Sequence, residues 1–384
     1  MPFDVINFPA ASRLDRAATR QSRRLVAVWL LCVAAMIMVM IVLGGATRLT
    51  GAGLSIMEWA PLLGALPPTS DAEWQRLFEL YQKIPQYILV NEGFGLAGFK
   101  HIFWLEWTHR LWGRMIGLAF IVPLVWFAVT ARIERSLIPR LGLLFLLGGL
   151  QGAVGWFMVA SGFIADATAV SPYRLVMHLV LALLLYGAII WTALSLLRPA
   201  RLGTPNSLGL RCLAAGCLAL VGLTIVAGGF VAGTHAGLTY NTFPLMDGRL
   251  VPGGYATLHP LLRNLTENIA AVQFDHRLLA TLTAALVCGL AAAGLSGHRL
   301  PRPLATCLLA GIAVQYSLGV ATLLGAVPVP LATAHQAGAV LLLTVVLVAL
   351  HHLTRTRRAS VPLQADRDTP ERPDPGARSG APAP

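Results

Sequence analysis

The chain has 384 residues, of which 56% are hydrophobic and 12% charged, with a formal net charge of +12. That balance excludes an ordinary soluble domain, in which charged residues make up about a quarter. It points to a membrane protein whose basic residues set topology, and nucleic acid is not among the partners it suggests.

Eight apolar runs, each near the length of about 20 residues that crosses a bilayer core, follow in chain order at roughly 25–45, 109–130, 141–160, 175–197, 211–232, 276–295, 303–325 and 334–353. Residues 1–24 form a polar lead carrying Arg13, Arg16, Arg20, Arg23 and Arg24. The run behind it is too long and too deep to be a cleaved signal and reads as a true span. Further arginines fall between the second and third runs (Arg132, Arg135, Arg140), between the fourth and fifth (Arg198, Arg201, Arg211), between the sixth and seventh (Arg299, Arg302) and after the eighth (Arg355, Arg357, Arg358). With an even number of spans all of these lie on one side, which the positive-inside rule makes cytoplasmic.

The expected organisation is a cytoplasmic lead at 1–24, a first four-helix bundle at 25–198, a linker at 199–210, a second bundle at 211–353 and a disordered cytoplasmic tail at 354–384, rich in Pro, Arg and Asp. Residues 46–108 and 233–275 become long external loops. Within the first, Ser70 or Asp71 is placed to cap a helix over AEWQRLFELYQK. Its Trp74, Leu77, Phe78 and Tyr81 share one face, which suits the membrane surface. The five cysteines all lie in or beside apolar runs and suggest no disulfide.

The two halves repeat each other. GGATRLTGAGL (44–54) answers GGFVAGTHAGL (228–238), EWTHRLWGR (106–114) answers QFDHRLLAT (273–281), and QGAVG (151–155) answers QYSLG (315–319). The fold class is therefore an all-α integral membrane protein with eight transmembrane helices as two duplicated four-helix bundles. Each half carries two histidines near the external ends of its even-numbered spans: His109 and His178, then His276 and His335. A repeated bundle with one inward histidine on each of two helices is a cage for a bis-histidine haem iron. His351 and His352, beside arginines at the end of the last span, read as surface residues.

Glu106 lies three residues before His109 on the same helix face, and Gln273 takes that place before His276. One half thus offers an ionisable group beside its haem and the other a neutral amide, which suggests one working and one supporting site. Glu106 can also serve as an interfacial carboxylate paired with Arg110 or Arg114. Arg110 and Arg277 each follow a histidine on the external side, where they can clamp haem propionates or snorkel to headgroups. Arg48 is a further candidate for the propionates.

GGATRLTGAGLSIMEWAP, EWTHRLWGR, GGFVAGTHAGLTYNTFPLM, FDHR and ATAHQAG resemble the haem A synthase family, over essentially residues 25–353. The resemblance implies oxidation of the C8 methyl of haem O to a formyl group, through an alcohol, to give haem A for cytochrome oxidase. By its motifs His276 and His335 would ligate a haem b cofactor, with Arg277 nearby. His109 and His178, with Arg110 and Arg48, would hold the haem O substrate, and Glu106 would be catalytic. No cysteine pair stands between Arg48 and His109, unlike in some members, so the chain is similar to the proteobacterial and mitochondrial branch. Implied partners are haem O synthase, an electron-transfer partner, the lipid bilayer and a second copy of the chain, at the cell inner membrane with both termini cytoplasmic. The competing expectation is a di-haem b-type electron carrier linked to quinol. A transporter built of inverted repeats is disfavoured, because four spans per repeat give parallel halves.

Overall fold

A computed structural model of the chain describes residues 13–60, 63–197, 201–202 and 208–357. The expected tail after residue 357, and most of the expected linker, lie outside the described residues. The helices are α1 (Arg13–Leu49), α2 (Asp71–Tyr81), α3 (Pro85–Val90), α4 (Leu96–Val129), α5 (Ile138–Val159), α6 (Pro172–Leu197), α7 (Leu208–Gly233), α8 (Asn264–Glu267), α9 (Ile269–Ser296), α10 (Arg302–Leu324) and α11 (Val329–Thr354). Among the described residues, α1, α4, α5, α6, α7, α9, α10 and α11 are the eight long and apolar enough to cross a membrane. The shortest, α5, has 22 residues, about 33 Å at 1.5 Å per residue, which spans a hydrocarbon core of about 30 Å.

Helix boundaries follow local chemistry. Proline occupies the first turn of α3, α5, α10 and α11, where its missing N–H costs nothing. Ser70 caps α2 by accepting the Glu73 N–H, and Asn268 caps α9 by accepting from the N–H groups of Ala270 and Ala271. Just beyond α1 and α7 the backbone turns left-handed, at Gly51 (φ 68°) and at His235 (φ 57°), and each turn leads into a single 3-10 turn. The duplication therefore extends to backbone conformation.

The packing repeats as well. In the first half α1 lies against α4 and α6, and α5 against α4 and α6; in the second α7 lies against α9 and α11, and α10 against α9 and α11. The halves meet through α1, α6, α7 and α11. Their contact is a continuous core including Leu30 and Val33 of α1, Ile189 and Ala193 of α6, Cys217 and Val221 of α7, and Val346 and Ala349 of α11. Lipid is as apolar as leucine, so close packing and interhelical hydrogen bonds hold such helices together. Tyr186 and Thr344 hydroxyls meet at 2.7 Å, and Gln336 Nε2 donates to the Ile41 carbonyl at 2.7 Å. Leu118, Val122 and Val125 of α4, with Leu143 and Leu146 of α5, face outward, as lipid contact requires.

Two expectations change. First, α4 begins at Leu96, well before the expected start at 109. Its added outer turns carry Phe99, Ile102 and Phe103 into a second core with Ala52, Leu54, Trp74, Leu77, Phe78 and Tyr81. The apolar face of α2 is thus buried on protein and not on the membrane surface. Second, His351 is 2% exposed, edge-on to the Trp191 ring at 4.9 Å and beside Ser195, so it belongs to the interior.

Candidate functional site

The four histidines come from α4, α6, α9 and α11. In the second half the His276 and His335 ring centres are 6.4 Å apart, with the planes at 88°. Two metal–imidazole bonds of about 2 Å, extended by ring radii of about 1 Å, place axial ring centres roughly 6 Å apart. That spacing would suit one metal ion held by both imidazoles. His276 donates its Nδ1 hydrogen to the Thr224 carbonyl at 3.1 Å, which leaves the Nε2 lone pair for a metal. Thr224 is itself fixed, its hydroxyl meeting Thr283 Oγ1 at 2.8 Å and the Leu220 carbonyl at 2.8 Å.

Glycine makes room for every ring. A Cβ placed on Gly228 would lie 3.0 Å from His276, on Gly319 2.9 Å from His335, on Gly155 2.8 Å from His178 and on Gly44 3.0 Å from His109. At the first three the nearest ring atom is Cε1, but at Gly44 it is Nε2 of His109. The His109 ring is thus turned over relative to the others. His109 and His178 are close enough to interact electrostatically. Among the described residues, however, the His109 ring makes no hydrogen bond comparable to that between His276 and Thr224. The equivalent backbone position, four residues before the glycine, is Met40.

Glu106 is 2% exposed. Its Oε2 accepts from the Ser55 hydroxyl at 2.7 Å and the Ile56 N–H at 2.9 Å, and its Oε1 accepts from Arg110 at 2.6 and 3.0 Å. Arg110, and not Arg114, is therefore its ion-pair partner; Arg114 donates to the Ala60 carbonyl. Gln273 occupies the same niche with reversed polarity. Its Nε2 donates to the carbonyls of Ala236 and Thr239, at 2.7 and 2.5 Å, and its Oε1 accepts from Arg277 at 2.8 Å. The loop thus turns donors toward the acid and acceptors toward the amide.

Arg110 also donates to the carbonyls of Ile56 and Glu58, and Arg277 to those of Tyr240 and Thr242, the matching residues of the repeat. Both guanidiniums fasten a loop to its helix, and Arg277 keeps only its buried Nε without a partner among the described residues. Arg48 differs: its Nη2 is buried with no partner. Burial, and with it the charge of nearby Arg48, holds the His235 imidazole below the usual histidine range.

Sequence reasoning passed over Gln151 and Gln315, although both stand in the QGAVG and QYSLG repeat. Gln151 Nε2 lies 3.1 Å from His178 Nδ1 and donates to the His178 carbonyl at 2.9 Å. Gln315 Nε2 lies 3.1 Å from His335 Nδ1 and donates to the His335 carbonyl at 3.0 Å. Their place in both copies of the motif was a signal available beforehand. Ser55 and Thr224 carried no such signal.

The family model COX15-CtaA, a cytochrome oxidase assembly protein, matches residues 27–347. The chain is 64% identical over 350 residues to the heme A synthase of Granulibacter bethesdensis, covering 90% of this chain and 92% of that protein. It is 51% identical over 350 residues to the heme A synthase of Rhodospirillum centenum (90% and 92%). It is 48% identical over 339 residues to that of Parvibaculum lavamentivorans (88% and 96%).

Proposed function

The chain belongs to the family of cytochrome oxidase assembly proteins that includes the heme A synthases, and we propose that its two halves divide that enzyme's work between a resident haem and a substrate haem. The protein is a multi-pass membrane oxidoreductase that converts the C8 methyl of haem O to the formyl group of haem A. In the proposed division His276 and His335 hold a haem b, and His109 and His178 hold haem O through its iron. When bound, the haem b supplies one-electron redox chemistry.

The observation that supports this division is the unequal fixing of the two leading histidines. His276 is oriented by a backbone carbonyl and stands at metal-bridging distance from His335. Such anchoring through the ring nitrogen that faces away from the metal suits a permanent ligand. Among the described residues His109 has no such anchor, which suits a ligand that must take up one porphyrin and release another at each turnover. The buried acid also belongs to the first half. Glu106 would face the substrate edge as a carboxylate held by Ser55, the Ile56 N–H and Arg110, ready to stabilise developing positive charge or to take a proton. Gln273 can do neither.

Arg48, with its unspent donor, is the proposed clamp for a propionate of the substrate haem; Arg110 and Arg277 fasten the loops that roof the two sites and reach propionates only with donors left over. The arginine distribution supports a proposal with both termini in the cytoplasm and both sites near the outer face of the inner membrane. Haem O synthase as supplier, an electron-transfer partner and a second copy of the chain are the proposed associations.

The test is analysis of haem extracted from purified protein made in cells with and without haem O. The enzyme carries haem b in both cases, and haem O or haem A only when haem O is made. A di-haem carrier holds haem b alone in both.

A further inference from the structure

Gln151 and Gln315 occupy one arrangement built twice. Each lies on the third span of its half, α5 or α10, four residues before the glycine whose missing side chain receives a histidine ring. Residues four apart share a helix face, so each helix presents an amide and a hollow one turn apart. The ring of His178 or His335 fills the hollow, and the amide meets its Nδ1 at 3.1 Å in both halves. The residues between differ (Gly152, Ala153 and Val154 against Tyr316, Ser317 and Leu318), but the glutamine and the glycine are the same.

One atom in each arrangement lacks a partner: Oε1 of Gln151 and Oε1 of Gln315 are both buried without a hydrogen bond. A buried amide acceptor left unpaired is uncommon, and the same atom unpaired in both copies points to a missing donor. A neutral histidine that binds metal through Nε2 carries its proton on Nδ1 and needs an acceptor there. The terminal torsion of glutamine is soft. A half-turn exchanges the two ends of the amide, so that Oε1 accepts that proton and Nε2 gives up its bond to the histidine carbonyl.

We propose that Gln151 and Gln315 are positioning residues of the two haem sites, each fixing Nδ1 of the neighbouring histidine so that His178 and His335 present Nε2 to iron. This rests on the histidine assignment above. In the second half both axial ligands are then oriented, His276 by the Thr224 carbonyl and His335 by Gln315. In the first half, among the described residues, His178 alone is.

A stronger acceptor at Nδ1 makes the imidazole more basic and favours the oxidised iron, and a missing acceptor does the reverse. The test uses the purified full chain with its resident haem, read by redox titration and low-spin absorption spectrum. Gln315→Glu should shift the midpoint potential downward. Gln315→Leu should shift it upward, with part of the haem turning high-spin or lost. Gln151→Glu and Gln151→Leu should leave that haem unchanged and alter the spectrum of added haem O. If both Gln315 variants keep the wild-type potential and spin state, and both Gln151 variants keep the wild-type spectrum of added haem O, the positioning role is overturned. If the resident haem responds to Gln151 and not to Gln315, the positioning role stands and the assignment of the halves is reversed.

Discussion

Ser55 donates its hydroxyl hydrogen to Glu106 Oε2 at 2.7 Å, joining the loop after α1 to a buried acid one turn before His109. A hydrogen bond to a charged group contributes about 1.5–3 kcal/mol. Ser55→Ala should loosen the loop by about that amount without unfolding the bundle. Hydrogen exchange of residues 52–58 should quicken and turnover should fall, with the resident haem retained. Unchanged exchange and turnover would show that the contact holds nothing in place.

Glu106→Gln keeps the size of the side chain and removes its charge. Gln273 shows that an amide is tolerated in this niche, but there the loop supplies acceptors, whereas Ser55 and Ile56 supply donors. The variant should fold with a loss of about 1–3 kcal/mol from mispaired donors and keep its haem b. Haem O, or the partly oxidised alcohol, should accumulate at the expense of haem A. Near-normal haem A in extracted membranes would reduce Glu106 to a partner of Arg110.

The architecture was legible because apolar run length and repeated motifs report directly on spans and on duplication. The four histidines were legible for the same reason, since each recurs in register. The destination of the α2 aromatic face was not, because Trp74, Leu77, Phe78 and Tyr81 make the same pattern whether they meet lipid or the outer turns of α4. His351 was misread because nearby arginines imply a surface, whereas Trp191 and Ser195 come from α6, far away in sequence. Arg110 and Arg277 illustrate a further limit. Their charge is plain in the sequence, but the carbonyls that occupy their donors belong to loop backbone, which leaves no trace in residue type.

His235 supplies a dependence on pH. Burial and the charge of Arg48 hold its imidazole below the usual range, so the unfolded chain, with a pKa of about 6.5, binds the proton first. The stability that His235 contributes is complete above that value and declines as the pH falls from it toward the lower, folded value. Asparagine tolerates the left-handed backbone found here. His235→Asn should therefore weaken the acid dependence of thermal unfolding between neutral pH and about pH 5. Equal slopes in the two proteins would remove His235 from this account.

The proposed orientation of every site rests on the arginine distribution. Reporter fusions at Ala72 and Ala200 check it: a reporter that works only in the cytoplasm should be silent at Ala72 and active at Ala200. Activity at Ala72 would move all four histidines to the inner side.

The division between a resident haem and a substrate haem is tested most directly by the haem content of four single variants, read by absorption spectroscopy and by extraction. His276→Ala and His335→Ala should lose the stably bound low-spin haem b, because each removes one of two axial ligands. His109→Ala and His178→Ala should keep a substantial haem b spectrum while making no haem A. Loss of all bound haem in the first-half variants, with haem b intact in the second-half ones, would contradict the division proposed for this protein.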